Sequence, residues 1–167
     1  MRPQDLVILI ELLVNPNLSS QKKDLATRLF ISQSEVSESV NRSVLSGLVS
    51  DKGKVYSQSF LEFIRYGLKY IFPVKPGGMA HGWATAHSHE FMKEEFESQI
   101  NYVWVDFKGP DYGLSIEPLY PKQTLAIKEN PNLYKALALL DVIRVGRTRE
   151  IPVALEELKK MFANDKS

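Results

Sequence analysis

The pattern of apolar and polar positions divides the chain into helical ends and an irregular middle. In residues 3–14 the apolar side chains Leu6, Val7, Ile8, Leu9, Ile10, Leu12, Leu13 and Val14 leave almost no polar face. Pro3 suits an early helical position and Asn15-Pro16-Asn17 ends the run. A helix apolar on most sides must be covered, by its own domain and, as a further expectation, by a second subunit. Ser19 or Ser20 can cap a second helix running to residue 30, with Leu25, Ala26, Leu29 and Phe30 inward and Gln21, Lys22, Lys23 and Arg28 outward. Ser32 followed by Glu35 has the form of a capping box, so a third helix begins there and runs to residue 47. Val36, Val40, Val44 and Leu45 are its expected buried stripe, and Gln33, Ser34, Ser37, Glu38, Asn41 and Arg42 its polar face. Residues 48–56 hold the polar turn Asp51-Lys52-Gly53-Lys54 between β-prone pieces, which predicts a small hairpin. Residues 57–72 predict one amphipathic helix carrying Phe60, Leu61, Phe63, Ile64, Leu68 and Ile71, stopped by Pro73.

Residues 74–80 read as turn or coil, and 81–89 show neither a helical nor a strand period. Residues 91–97 predict a short helix and 102–106 the clearest strand, with 114–119 expected to pair with it across Lys108-Gly109-Pro110-Asp111. Asn130-Pro131 has the order of a helix start, giving a helix to about residue 145, and a last helix covers 152–162. The expected fold is α+β and mostly helical, with a reader domain over 1–72 and a smaller α+β region over 73–167 for dimerisation, partner binding or effector sensing.

Composition narrows the chemistry. The 167 residues carry a formal net charge of +1, so bulk attraction to nucleic acid is absent and any such contact must be local. The segments 1–72, 73–123 and 124–167 carry net charges of +2, −3 and +2. The absence of cysteine excludes disulfides, thiolate zinc sites, iron–sulfur clusters and a cysteine nucleophile. The longest apolar stretch is too short to cross a bilayer, and Arg2-Pro3-Gln4-Asp5 does not read as the lead of a secretion signal, so a cytoplasmic protein without membrane contact is expected.

Residues 25–42 have helix-turn-helix spacing. Ala26 is small where two helices would cross, while Leu29, Ile31, Val36 and Val40 would fill the angle between them. Followed by a hairpin, this is the pattern of a winged helix, although Phe30 stands where the tight-turn glycine is usual. With residues 33–46 as recognition helix, Gln33, Ser34, Ser37, Asn41 and Arg42 are the candidates for base edges. Amides suit adenine, and Arg suits guanine or phosphate. Lys22, Lys23, Arg28, Lys52 and Lys54 are the candidates for phosphates. Glu35 is assigned to the capping box and Glu38 to an ion pair with Arg42 at i, i+4.

The three histidines, His81, His87 and His89, are assigned to hydrogen bonding in a loop, with no metal or other cofactor expected. Pro76-Gly77-Gly78 is assigned to a turn, since no P-loop lysine follows. Trp83 and Trp104 are read as core or subunit-contact aromatics, and Arg144, Arg147 and Arg149 as charges complementing a helix C-terminus. No catalytic constellation stands out, and an enzyme is not expected.

Through Leu25-Ala26, Leu29, Ile31-Ser32-Gln33-Ser34 and Val36-Ser37, residues 1–72 resemble winged-helix transcription regulators of the MarR-like kind. Tyr70-Ile71-Phe72-Pro73, Gly77-Gly78-Met79-Ala80-His81-Gly82, Thr85-Ala86-His87, Pro118-Leu119-Tyr120-Pro121 and the run from Leu139 to Arg147 look like a little-described family of bacterial helix-turn-helix proteins. The resemblance implies double-stranded DNA binding, and it leads to the expectation of a homodimeric transcriptional regulator. The alternative is a protein-interaction adaptor or an antitoxin-like partner of a neighbouring gene product.

Overall fold

The computed structural model describes residues 1–163, so the last four residues of the region expected over 73–167 lie outside it. It is an α+β, mostly helical fold with one small sheet. Helix α1 (Pro3–Val14) is buried from Asp5 onward except at the half-buried Leu12 and packs against α3 (Gln33–Leu45), α8 (Pro131–Val145) and α9 (Ile151–Ala163). The chain thus covers its own most apolar helix. The expectation that a second subunit covers α1 loses its premise, because Leu6, Val7, Ile8, Leu9 and Ile10 are already out of solvent.

Helix α2 (Lys22–Leu29) starts after Gln21 and has no side-chain cap, so the expected cap by Ser19 or Ser20 is not made; Ser19 Oγ instead accepts from the Gln21 amide at 3.3 Å. Phe30 is exposed rather than inward and adopts the left-handed conformation (φ 59°), the turn conformation usually given to glycine. Helix α3 ends at Leu45, two residues short of the expected limit. Its fully buried residues are Val36, Ser39 and Ser43, with Val40 and Val44 half-buried, whereas Leu45 is 90% exposed. The inward row runs 36, 39, 40, 43, and a residue two positions beyond Ser43 falls on the opposite side of the helix.

The expected hairpin is present as a single bridge between Val49 and Val55 around Gly53 at φ 86°. The helix expected over 57–72 is broken by Gly67 into α4 (Ser57–Tyr66) and the single turn α5 (Leu68–Ile71), leaving Ile71 exposed.

Three strands follow, β1 (Met79–Thr85), β2 (Tyr102–Val105) and β3 (Asp111–Ser115). The segment over 81–89 without visible period therefore contains most of a strand. The first half of β1 pairs antiparallel with β3 (His81 opposite Tyr112) and its second half with β2 (Trp83 opposite Trp104). Strands β2 and β3 are parallel, with Tyr102 opposite Leu114, and close the sheet on itself. The expected pairing of β2 with the segment from Leu114 is thus made, but parallel and not as a hairpin across a tight turn. Residues 106–110 instead double back across β1 at Gly82, and a Cβ on Gly109 would lie 2.3 Å from the Gly82 backbone. Gly109 thus lacks a side chain where the two backbones touch, while a Cβ on Gly82 would run into the Trp104 backbone.

A short 3-10 turn (Ala86–Ser88), α6 (Glu90–Lys93) and α7 (Gln123–Ala126) complete the elements, α6 being shorter than expected. Helix α8 is buried through its middle, from Ala136 to Ile143. One buried apolar cluster includes Leu6 of α1, Phe60 of α4, Trp104 of β2, Leu140 of α8 and Phe162 of α9, so the core crosses residue 72 without a break. Asp141 on α8 sits inside it. Its Oδ2 accepts from Thr85 Oγ1 and Trp104 Nε1, both at 2.7 Å, and its Oδ1 from Arg144 at 3.0 Å. Arg144, in the last turn of α8 as expected, is thereby also a core ion-pair partner.

Candidate nucleic-acid interface

Helices α2 and α3 meet across Phe30-Ile31-Ser32. A small cluster of Leu25, Ala26 and Val36, packed by Leu12, Ile31 and Val40, fills the angle between them. Ala26 stands at this crossing, as its size requires, while Leu29 turns into the main core. The start of α3 is fixed by the reciprocal capping box: the Glu35 amide donates to Ser32 Oγ (3.1 Å) and the Ser32 amide to Glu35 Oε2 (2.8 Å). Two free amides are satisfied, and the Glu35 carboxylate is turned back from the outer face.

The outer face of α3 carries Gln33, Ser34 and Asn41, all exposed, and Ser37, half-buried. Gln33, Ser37 and Asn41 follow one another at i, i+4 and i+8 with Ser34 beside them, a stripe that flanks the buried row of α3. The side-chain hydrogen bonds that α3 makes go through Glu35, Arg42 and its capping residues, so the outer polar groups are available to a ligand. Lys22 and Lys23 are exposed in the first turn of α2, and Lys52 and Lys54 in the turn between Val49 and Val55. No ion pair engages any of the four among the described residues. The turn is shaped by hydrogen bonds from the Gly53 amide to the Ser50 carbonyl and from the Ser50 amide to the Lys54 carbonyl, both 2.8 Å.

The two arginines are placed differently. Arg42 forms a bidentate pair with the fully buried Asp5, Nε to Oδ2 at 2.9 Å and Nη2 to Oδ1 at 2.8 Å. Glu38, its expected partner, is 3.9 Å from Nη1. Burial raises the Asp5 carboxyl, but the Arg42 hydrogen bonds and the Arg2 amide outweigh it and hold the group below the usual carboxylate range. Arg28 reaches the buried Glu11, Nε to Oε1 at 2.9 Å, and donates from Nη1 to the Ser19 carbonyl. Glu11 Oε2 also accepts from Asn15 and Asn130, which ties α1 and α2 to the start of α8. Tyr120 adds a bond from its hydroxyl to the Leu29 carbonyl at 2.9 Å.

Asp5 and Glu11 were the missed residues of this region. The signal for them was present: an acid inside a helix buried on all sides needs a cationic partner.

The three histidines do not converge. The His81 ring lies tilted against Tyr112 at 4.8 Å, His87 Nε2 lies 2.6 Å from the Ile100 carbonyl, and His89 Nδ1 accepts from the Phe91 amide. Arg149 lies over the Phe96 ring, and Trp83 Nε1 donates to Asp106 at 3.0 Å. No helix among the described residues is long and apolar enough to cross a membrane.

No family model, curated protein or solved structure matches the chain.

Proposed function

We propose that the chain binds double-stranded DNA sequence-specifically, as a winged-helix reader of MarR-like type, and acts as a transcriptional regulator. The observation that carries this reading is the outward stripe of Gln33, Ser34, Ser37 and Asn41, unengaged by the protein itself on a helix locked at its N-terminus. Such side chains can hydrogen-bond base edges in a major groove, which is wide enough to admit a helix. Lys22, Lys23, Lys52 and Lys54 flank the helix and would hold phosphates, which position the reader without specifying sequence. Arg28 and Arg42 are not needed in the contact set, since their guanidinium groups neutralise buried carboxylates. Two copies on a palindromic site would raise affinity without added charge. As α1 is closed within one chain, their contact would lie elsewhere on the surface.

Selection of bound duplexes from a randomised pool tests the reading. One sequence should be enriched, and Asn41→Ala or Gln33→Ala should weaken binding to it by about 1–3 kcal/mol and relax preference at one position. A pool recovered without enrichment, or unchanged affinity in both variants, contradicts it.

A second reading, a protein-interaction surface, draws on Leu45 and Phe30, large apolar groups left 90% and 51% exposed beside the same stripe. It predicts that Leu45→Ser abolishes partner binding while leaving the fold intact.

A further inference from the structure

Between the end of β1, α6 and the start of α8 lies an open cleft of about 520 Å³. That size suits a small organic ligand. Aromatic rings line it: His89 and Tyr134 have centroids 4.8 Å apart, and Phe91 lies beside them under the Lys135 ammonium at 4.3 Å. Glu90, Glu94 and Asp111 bring three carboxylates to the same cleft. Of its two lysines, Lys135 is neutralised by Glu157 at 2.6 Å, which leaves Lys93 to oppose them. The Tyr134 hydroxyl, which donates to the Ala84 carbonyl, is pushed up by burial and then by Asp111 and Glu90, as a negative local field requires.

His89 supplies the second observation. It is only 7% exposed, and its Nδ1 accepts from the Phe91 amide, so the neutral ring carries its proton on Nε2. Burial, reinforced by Lys135, lowers its pKa to about 4 and keeps the ring neutral near pH 7. Among the described residues Nε2 has no hydrogen-bond partner, yet the residue lines the cleft. That donor is left open to the cleft, where a ligand acceptor can take a hydrogen bond from it. The cleft floor is held in place beforehand. Asn130 caps α8 by accepting from the Leu133 amide, and Asn132 donates to the Val14 carbonyl and to Asn15 Oδ1.

We propose that this cleft binds a small protonated amine that also carries a hydrogen-bond acceptor. The ammonium sits among Glu90, Glu94 and Asp111, the acceptor takes the His89 Nε2 proton, and the carbon skeleton lies against Phe91 and Tyr134. The site does not depend on the DNA-binding reading.

Titration of L-phenylalaninamide into the isotope-labelled full chain, followed by amide NMR shifts, tests the site directly. Saturable shifts confined to residues 84–94 and 131–135 are expected. N-acetyl-L-phenylalaninamide, which lacks the charge, and phenethylamine, which lacks the acceptor, should each bind about tenfold more weakly, the loss expected of one hydrogen bond. Glu90→Gln and His89→Asn should weaken phenylalaninamide binding similarly, the asparagine still able to accept from the Phe91 amide. If His89→Asn does not fold, Glu90→Gln and the two control ligands decide. Absence of saturable shifts at millimolar ligand, or equal binding of the N-acetyl compound, overturns the proposal.

Discussion

Arg42 sits on the outer part of α3 by sequence, yet its guanidinium spends two donors on Asp5, a carboxylate with no solvent exposure. Removing a partner from such a pair leaves a buried charge uncompensated. Arg42→Ala should therefore cost about 3 kcal/mol in a chemical denaturation experiment, and an apolar pair such as Asp5→Leu with Arg42→Met should recover much of the loss. Unchanged stability of Arg42→Ala would remove the pair from the account. His89 makes a separate prediction in pH. Its folded-state pKa is lowered from 6.5 to about 4 by burial and then by Lys135. Stability from this group is complete above pH 6.5, where both states are neutral, and falls as the unfolded chain protonates between 6.5 and 4. Unfolding free energies at pH 7 and pH 5 should differ by about 2 kcal/mol more in the native chain than in His89→Asn. Equal slopes in the two proteins would contradict the assignment. Asp5 acts lower on the scale: its depressed carboxyl contributes stability above the usual carboxylate range, lost as pH falls through its folded-state value.

At the scale of elements, the sheet depends on two backbones touching. Gly109→Ala would place a methyl group 2.3 Å from the Gly82 backbone, where no flexible side chain can move aside. It should destabilise the protein by several kcal/mol or prevent folding, measured by thermal unfolding, and a loss below about 1 kcal/mol would show that the crossing is looser than described. This crossing explains what the sequence could not reveal. Helical period locates α3 and α9, proline and asparagine signals bound the nearly all-apolar α1 and the start of α8, and the Ser32–Glu35 box marks the start of α3 to the residue. Strand β1 escapes because Gly82 interrupts its alternation and its partners lie in β2 and β3. Leu45 was assigned inward because hydrophobicity alone does not say that Ser39 and Ser43 take the buried row. The polar stripe of the candidate interface was legible from spacing, whereas the partner of Arg42 was not, since Asp5 lies 37 residues away.

At the scale of the whole molecule, one apolar cluster joins α1 and α2 to α8 and α9, and polar bonds through Glu11, Asn15 and Tyr120 reinforce the joint. Helices α2 and α3 are thus held by the rest of the chain, and on the proposed reading a DNA complex would orient the entire protein. With a net charge of +1, the electrostatic part of binding must come from a few placed cations. Lys22, Lys23, Lys52 and Lys54 are the exposed ones flanking α3, so four phosphate contacts per protomer would give a slope of about −3.6 in log K against log salt. The most direct measurement is fluorescence anisotropy of the selected duplex against a shuffled one across a salt series. Preference for the selected duplex at every salt concentration, with that slope per protomer, is the predicted result. Equal affinity for both duplexes, or no binding at low salt, would contradict sequence-specific DNA recognition by α3.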